Sequence, residues 1–538
     1  MRSAHNGGRR LFAASAAFAA TVLLLAGCSG SGSGGGTLTV GTTDKVTSID
    51  PAGSYDNGSF AVMNQVYPFL VNTPYGSPDV KPDIAESASF TSPTQYTVKL
   101  KPNLRFANGH DLTSSDVKFT FDRQLKINDP NGPASLLGNL DSVSAPDKTT
   151  VVFTLKVAND QTFPQVLSSP AGPIVDEQVF SADKVTPDST IVKGHAFAGQ
   201  YDIANYDFNN LIAYTANPDY QGLLGKPVTS KVNVKYYAES SNLKLDIQKD
   251  AIDVAFRSLS ATDIDSLSSN KSVKVVKGPG GETRYIVWNI NTMPYGATQP
   301  AADAAKALAV RQAAADLIDR PTIAKQVYKN TYTPLYSFVP EGLTGATTVL
   351  KDRYGDGNGG PSLDKAKATL QAAGVTTPIT LNLQYNPDHY GPSSGDEYAL
   401  VKEQLENGGL FTVNLQSTEW VQYSKDRVKD LYPAYQLGWF PDYSDADNYL
   451  SPFFTKDNFL ANHYDSPEIQ QLITQQVGTA DKVERTKLIE EIQAKAGADL
   501  PTLPLLQGAQ VAVVGKDVKG TDKTLDASFK FRYAVLSK

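Results

Sequence analysis

Cysteine is nearly absent from this chain of 538 residues: Cys28 is the only one, which excludes an intrachain disulfide framework. Histidine is scarce as well. His5, His110, His195, His389 and His463 never share a helical turn, so no local Cys/His zinc motif can form. Basic charge is not in excess either. Its 49 lysines and arginines against 56 aspartates and glutamates leave a formal charge of −7, without the footprint of a nucleic-acid binder. Beyond residue 27 no apolar run approaches the ~18 residues of a membrane span, and no repeat of fixed period is present. What remains is an ordinary globular composition, 41% hydrophobic and 20% charged, at a length of several domains of roughly 150 residues each.

The first segment reads as an address. Arg2, Arg9 and Arg10 precede an almost continuous apolar run from Leu11 to Gly27, which ends Leu25-Ala26-Gly27-Cys28. Residues 1–27 are therefore expected to be a signal peptide. The small residues before Cys28 resemble the lipobox of bacterial lipoproteins, which implies an acylated Cys28 as mature N-terminus. Residues 28–36 then form the acylated cysteine and a flexible Ser/Gly tether. The Arg9-Arg10 pair resembles a twin-arginine signal, so either export route stays open. Loss of three arginines takes the formal charge of the mature body from −7 to −10.

Strand-like and helical patterns alternate along the rest of the chain, which places it in the mixed α/β class. β-Branched alternation predicts strands at 37–42, 96–100, 150–155, 231–237, 283–291, 379–385, 411–418, 434–440 and 509–514. Helices have readable ends. Thr113-Ser-Ser-Asp116 is a capping-box start, Ser466-Pro467-Glu468 supplies a cap, an N1 proline and an early acid, and glycines close helices at Gly374, Gly408 and Gly497.

Several segments, in order, resemble family 5 of the extracellular solute-binding proteins, the oligopeptide, dipeptide and nickel receptors of ABC importers. They are Ser48-Ile49-Asp50-Pro51 with Val66 to Val71, Lys99 to Gly109 running into Leu112 to Phe119, Arg284-Tyr285 to Asn289 with Val310 to Arg320, Asp364 to Gly374, Gly438-Trp439 with Asp442-Tyr443, and Tyr464 to Glu468. The resemblance implies a two-lobed periplasmic-binding-protein type II fold (a Venus flytrap) with an additional inserted domain. By analogy 37–72, 187–284 and 505–538 form lobe I, 73–186 the inserted domain and 285–504 lobe II.

The same resemblance implies a site. In peptide-binding relatives the aspartate at the position of Asp442 accepts the peptide α-ammonium, a role suited to an enclosed carboxylate. Trp439 and Trp420 match aromatic positions that wall side-chain pockets, with Gly438 and Phe440 beside them. Tyr55 and Asn57 fall where lobe I pairs with the ligand as an added strand. Dipeptide-selective relatives place an arginine for the ligand carboxylate in the segment written here Tyr385-Asn386-Pro387-Asp388-His389-Tyr390, which has none, so oligopeptides are the expected ligand. The implied protein is a monomeric, lipid-anchored receptor at the outer face of the cell membrane. It needs no cofactor and serves a permease of two membrane subunits and two ATPases.

Other readings stay open at this stage. His389 and His463 allow a nickel chelate, and an oligosaccharide is a further family alternative. Gly391-Pro392-Ser393-Ser394-Gly395 formally matches the G-x-S-x-G of a serine hydrolase with His463 downstream, but Asn386-Pro387-Asp388 breaks the strand that a nucleophile elbow needs. Asp442, Asp445 and Asp447 could equally be an acidic turn, without the glycine and glutamate of a calcium loop. No catalytic or metal-binding residue is expected.

Overall fold

The computed structural model describes residues 36–538 except Pro392, Asp457 and 527–529. Cys28, the signal segment and all but the last residue of the tether lie outside the described residues.

Two sheets are threaded by chain that passes between them twice. The first is seven-stranded, in the order Val273–Gly278, Gln510–Gly515, Val254–Phe256, Leu38–Thr42, Lys231–Tyr236, Leu211–Ala216 and Tyr201–Asp207. Leu38–Thr42 sits near its centre and runs parallel to both neighbours, with Val40 opposite Val234 and Val254. Parallel pairing needs crossovers, which explains why this sheet is assembled from residues so far apart in sequence.

The second sheet is six-stranded, in the order Tyr332–Pro334, Thr502–Gly508, Thr283–Trp288, Ala434–Trp439, Ile379–Tyr385 and Phe411–Ser417. Every residue of Thr283–Trp288 and Thr502–Gly508 is buried. Such strands are covered on both faces, so their sequence cannot alternate cleanly. The strand expected to reach 291 stops at Trp288, because the Asn289 side chain turns back to accept from Asn291 N at 3.0 Å and Thr292 N at 3.1 Å.

The chain crosses from the first sheet to the second between Gly278 and Thr283, and back between Gly508 and Gln510. The two links touch backbone to backbone. A Cβ on Gly280 would lie 2.0 Å from the Gly508 carbonyl oxygen, so only glycine fits there.

A four-stranded antiparallel sheet, Ala85–Ser92, Gln95–Leu100, Thr150–Leu155 and Leu140–Asp147, carries its own core. The expected capping box of Thr113 and Asp116 starts the helix Ser114–Ile127, whose Phe121 meets Phe153 edge to face at 5.1 Å. Ala85–Ser92 and Leu140–Asp147 escaped the sequence pattern because serine, alanine and acids dominate them.

One buried ion pair joins this part of the chain to the N-terminal segment. Asp50 of the Ser-Ile-Asp-Pro motif accepts two hydrogen bonds from the Arg123 guanidinium, each 2.8 Å, and also receives Ala52 N and Thr186 N. The motif is thus a structural clasp, which fixes the approach to Tyr55.

Candidate functional site

The strand Ala434–Trp439 pairs antiparallel with Thr283–Trp288, with Trp439 opposite Thr283. Pro441 cannot continue the ladder, so the chain leaves the sheet beyond the end of this inner strand and delivers Asp442 to a cavity of about 580 Å³. Tyr55, Asn57, Gly438, Trp439, Phe440 and Asp442 all line it. Six of the seven ligand-contact residues expected from sequence are therefore brought together.

Asn448, which no sequence pattern singled out, holds the loop around Asp442 in shape. Its Oδ1 accepts from Trp439 Nε1 at 2.9 Å and from Asp442 N at 3.0 Å, and its Nδ2 donates to Asp442 Oδ2 at 3.1 Å. The other Asp442 oxygen accepts the Tyr55 hydroxyl, so a residue from the N-terminal segment and one from the six-stranded sheet meet across the cavity. Burial pushes the Asp442 carboxyl up to about 6, against the lowering effect of Asn448.

The three neighbouring aspartates are not one solvated turn. Asp445 makes a two-pronged pair with Arg485, at 2.8 and 2.7 Å, and caps Asp447 N. Asp447 is buried against Ser451 Oγ and Gln476 Nε2. Only Asp442 of the three lines the cavity.

Aromatic rings shape the walls. Trp439 meets Phe453 and Phe459 edge to face at 5.2 and 5.3 Å. Gly438 leaves room for Tyr390, whose ring carbons a Cβ would approach to 2.8 Å. Trp420 is a correction. It is not a lining residue but stacks flat behind His389, at 3.9 Å and 8°, and His389 takes the wall position. Asn57 is a second correction: it opens the helix Asn57–Val66, capped by Asp56, so an added strand can pair only with the extended backbone before it.

The serine-hydrolase alternative fares poorly on geometry. Ser393 sits at the start of the helix Ser394–Glu406, eight residues after the strand Ile379–Tyr385 has ended, and lines a different cavity of about 250 Å³. His463 Nε2 is engaged with Asp430 Oδ1 at 2.6 Å. Among the described residues no group of three His, Cys, Asp or Glu side chains is placed to hold a metal ion, and no helix is long and apolar enough to cross a membrane.

The model of bacterial extracellular solute-binding proteins, family 5, matches residues 79–460, more than half of the chain. The chain belongs to this family. It is similar to the probable D,D-dipeptide-binding periplasmic protein DdpA of Escherichia coli, 24% identical over 497 residues covering 90% of each chain. The periplasmic oligopeptide-binding protein OppA of Salmonella typhimurium is 25% identical over 459 residues, covering 81% of this chain and 80% of its own. Among solved structures, the ABC transporter substrate-binding protein CtaP of Listeria monocytogenes superposes with a TM-score of 0.77 at 22% identity, over 94% of this chain and 99% of its own. The fold is accordingly the two-lobed type II binding-protein fold, and the family 5 chain is a transport receptor rather than an enzyme.

Proposed function

We propose that this family 5 receptor captures oligopeptides outside the cytoplasm by their α-ammonium and delivers them to an ABC import permease of two membrane subunits and two ATPases. The observation that carries this reading is Asp442. It is a carboxylate raised by burial, held by Asn448 and set among aromatic walls in a cavity of ligand size. The similar DdpA and OppA, a probable D,D-dipeptide-binding protein and an oligopeptide-binding protein, point the same way. Native mass spectrometry of the purified soluble body tests it. Co-purified or added peptides of several residues are expected as a mass increment lost on denaturation. A protein that retains no member of a peptide library under native conditions would overturn the reading.

Closure of two lobes over the ligand follows from the partition proposed here: 37–72, 187–284 and 505–538 in lobe I, 73–186 inserted, 285–504 in lobe II. The sheets support it with small shifts. Thr502–Gly508 is one continuous strand of the six-stranded sheet, so the final crossing belongs at 508–510, and the first belongs at 279–282.

Anchoring at Cys28 completes the proposal, with the Ser/Gly tether leaving a monomeric body free at the outer membrane face. Cys28→Ser removes the thiol that acylation requires. Metabolic labelling with a fatty-acid analogue is expected to mark the wild type and not the variant, and label retained on Cys28→Ser would exclude this anchor.

A further inference from the structure

The cavity carries a cation as well as a carboxylate. Lys530 lines it beside Ser135 and Ser168, and it is the only lysine or arginine among the described lining residues. Lys530 is 4% exposed, a position lysine almost never takes without a partner. Its amine donates to Ser168 O at 2.6 Å and Asn72 Oδ1 at 3.1 Å, with a longer contact to Ser168 Oγ at 3.5 Å. All three are neutral oxygens.

Asn72 Oδ1 is also shared. It accepts from Arg532 Nη2 at 2.9 Å and from Thr73 N at 3.0 Å, so two buried basic side chains converge on one amide oxygen. The carboxylates that act on them at longer range have commitments of their own. Asp83 accepts from Tyr220 Oη, Leu223 N and Asn72 Nδ2, and Asp526 Oδ2 accepts from Gly76 N. Burial and Arg532 pull the Lys530 amine well below the ordinary lysine range, with Asp526 and Asp83 opposing. An ammonium in this setting gains most from an anion that enters the cavity and is desolvated with it.

We propose that Lys530 receives the carboxylate of the bound ligand, so that the cavity selects zwitterionic peptides with a free C-terminus as well as a free N-terminus. This rests on the reading of peptide capture and deepens it. Carboxylate recognition then lies in the C-terminal segment that also holds Arg532, not in the Tyr385–Tyr390 segment that lacks an arginine. Ser168 Oγ, 3.5 Å from the amine, supplies a hydroxyl donor beside it. A Lys530 that only ties its own segment to Ser168 would be indifferent to the ligand's C-terminus.

The test uses random peptide libraries of two to five residues in three forms: free, C-terminally amidated and N-acetylated. Retention by the wild type is read by native mass spectrometry. Amidation is expected to lower retention at least tenfold in the wild type, a comparison that needs no variant. Lys530→Met, checked for folding by circular dichroism, is expected to retain free and amidated libraries at the same reduced level. Equal retention of both libraries by the wild type, or undiminished discrimination by Lys530→Met, overturns the proposal. Loss on N-acetylation without loss on amidation leaves the Asp442 reading standing and removes the Lys530 one. Retention of no library in any form removes both.

Discussion

Asp442→Asn is expected to lower the affinity for an amine-bearing peptide by about 2–5 kcal/mol in titration calorimetry, because on the proposed reading it leaves a desolvated ammonium without its counter-ion at nearly constant shape. The control is Glu490→Gln, an exposed carboxylate on the helix Lys482–Asp499, which changes net charge equally and is expected to shift affinity by less than about 0.5 kcal/mol. Asp445 cannot serve as that control, since its pair with Arg485 is part of the fold. N-acetylating the peptide should reproduce the loss in the wild type.

The pH dependence carries the same signature. With the carboxyl at about 6 in the empty cavity, the anion needed by the ammonium is present at pH 7 and is lost as pH falls through 6. Wild-type affinity should drop roughly tenfold per pH unit below 6, and Asp442→Asn should be flat over that range. Stability of the empty protein runs the opposite way. A carboxyl raised above its unfolded value of about 3.9 stabilises the fold below that value, and this contribution is lost as pH rises towards 6. An ammonium bound to Asp442 offsets that loss. Equal and small effects of Asp442→Asn and Glu490→Gln would remove the amine site.

Glu397→Ala is expected to cost about 3–5 kcal/mol of stability, measured from the denaturation midpoint and slope. Arg284 and Glu397 are both buried, joined at 2.9 Å through Nε and at 2.5 Å through Nη2. Tyr328 Oη donates to the same carboxylate oxygen at 3.0 Å. Arg284 also donates to Ser394 Oγ and to the Tyr390 carbonyl, so the pair braces the residue that walls the cavity. Removing the glutamate leaves the buried guanidinium with only the more distant Glu282 Oε1, at 3.8 Å, as a charge partner. Arg284→Met combined with Glu397→Leu should recover much of the loss, because two apolar groups need no counter-ion. A loss under about 0.5 kcal/mol for Glu397→Ala would show that solvent reaches the pair.

Much of this protein is legible without coordinates. Helix starts at Thr113 and Ser466 are local chemistry, a side chain satisfying nearby backbone donors, and the structure places them as read, whereas the helix Lys482–Asp499 runs past Gly497, the glycine expected to close it, and ends at a left-handed Leu500. The strands Thr150–Leu155, Ile379–Tyr385 and Phe411–Ser417 carry enough β-branched or alternating residues to declare themselves. The motif around Gly438-Trp439 with Asp442 marks the ligand cavity because its residues are contiguous.

Tertiary structure decided whatever depends on residues far apart. Asn448 shapes the loop around Asp442 through bonds to Trp439 and Asp442 that only a closed loop creates. His389 lines the cavity where Trp420 was expected to, with the indole stacked flat on the imidazole, a contact between segments that the sequence does not mark. Lys530 reaches the same cavity as Tyr55 from the other end of the chain. A charged side chain carries no mark of its burial or its distant partners in the sequence, since desolvation and convergence on shared acceptors exist only once the chain has brought Asn72, Ser168 and Arg532 around it.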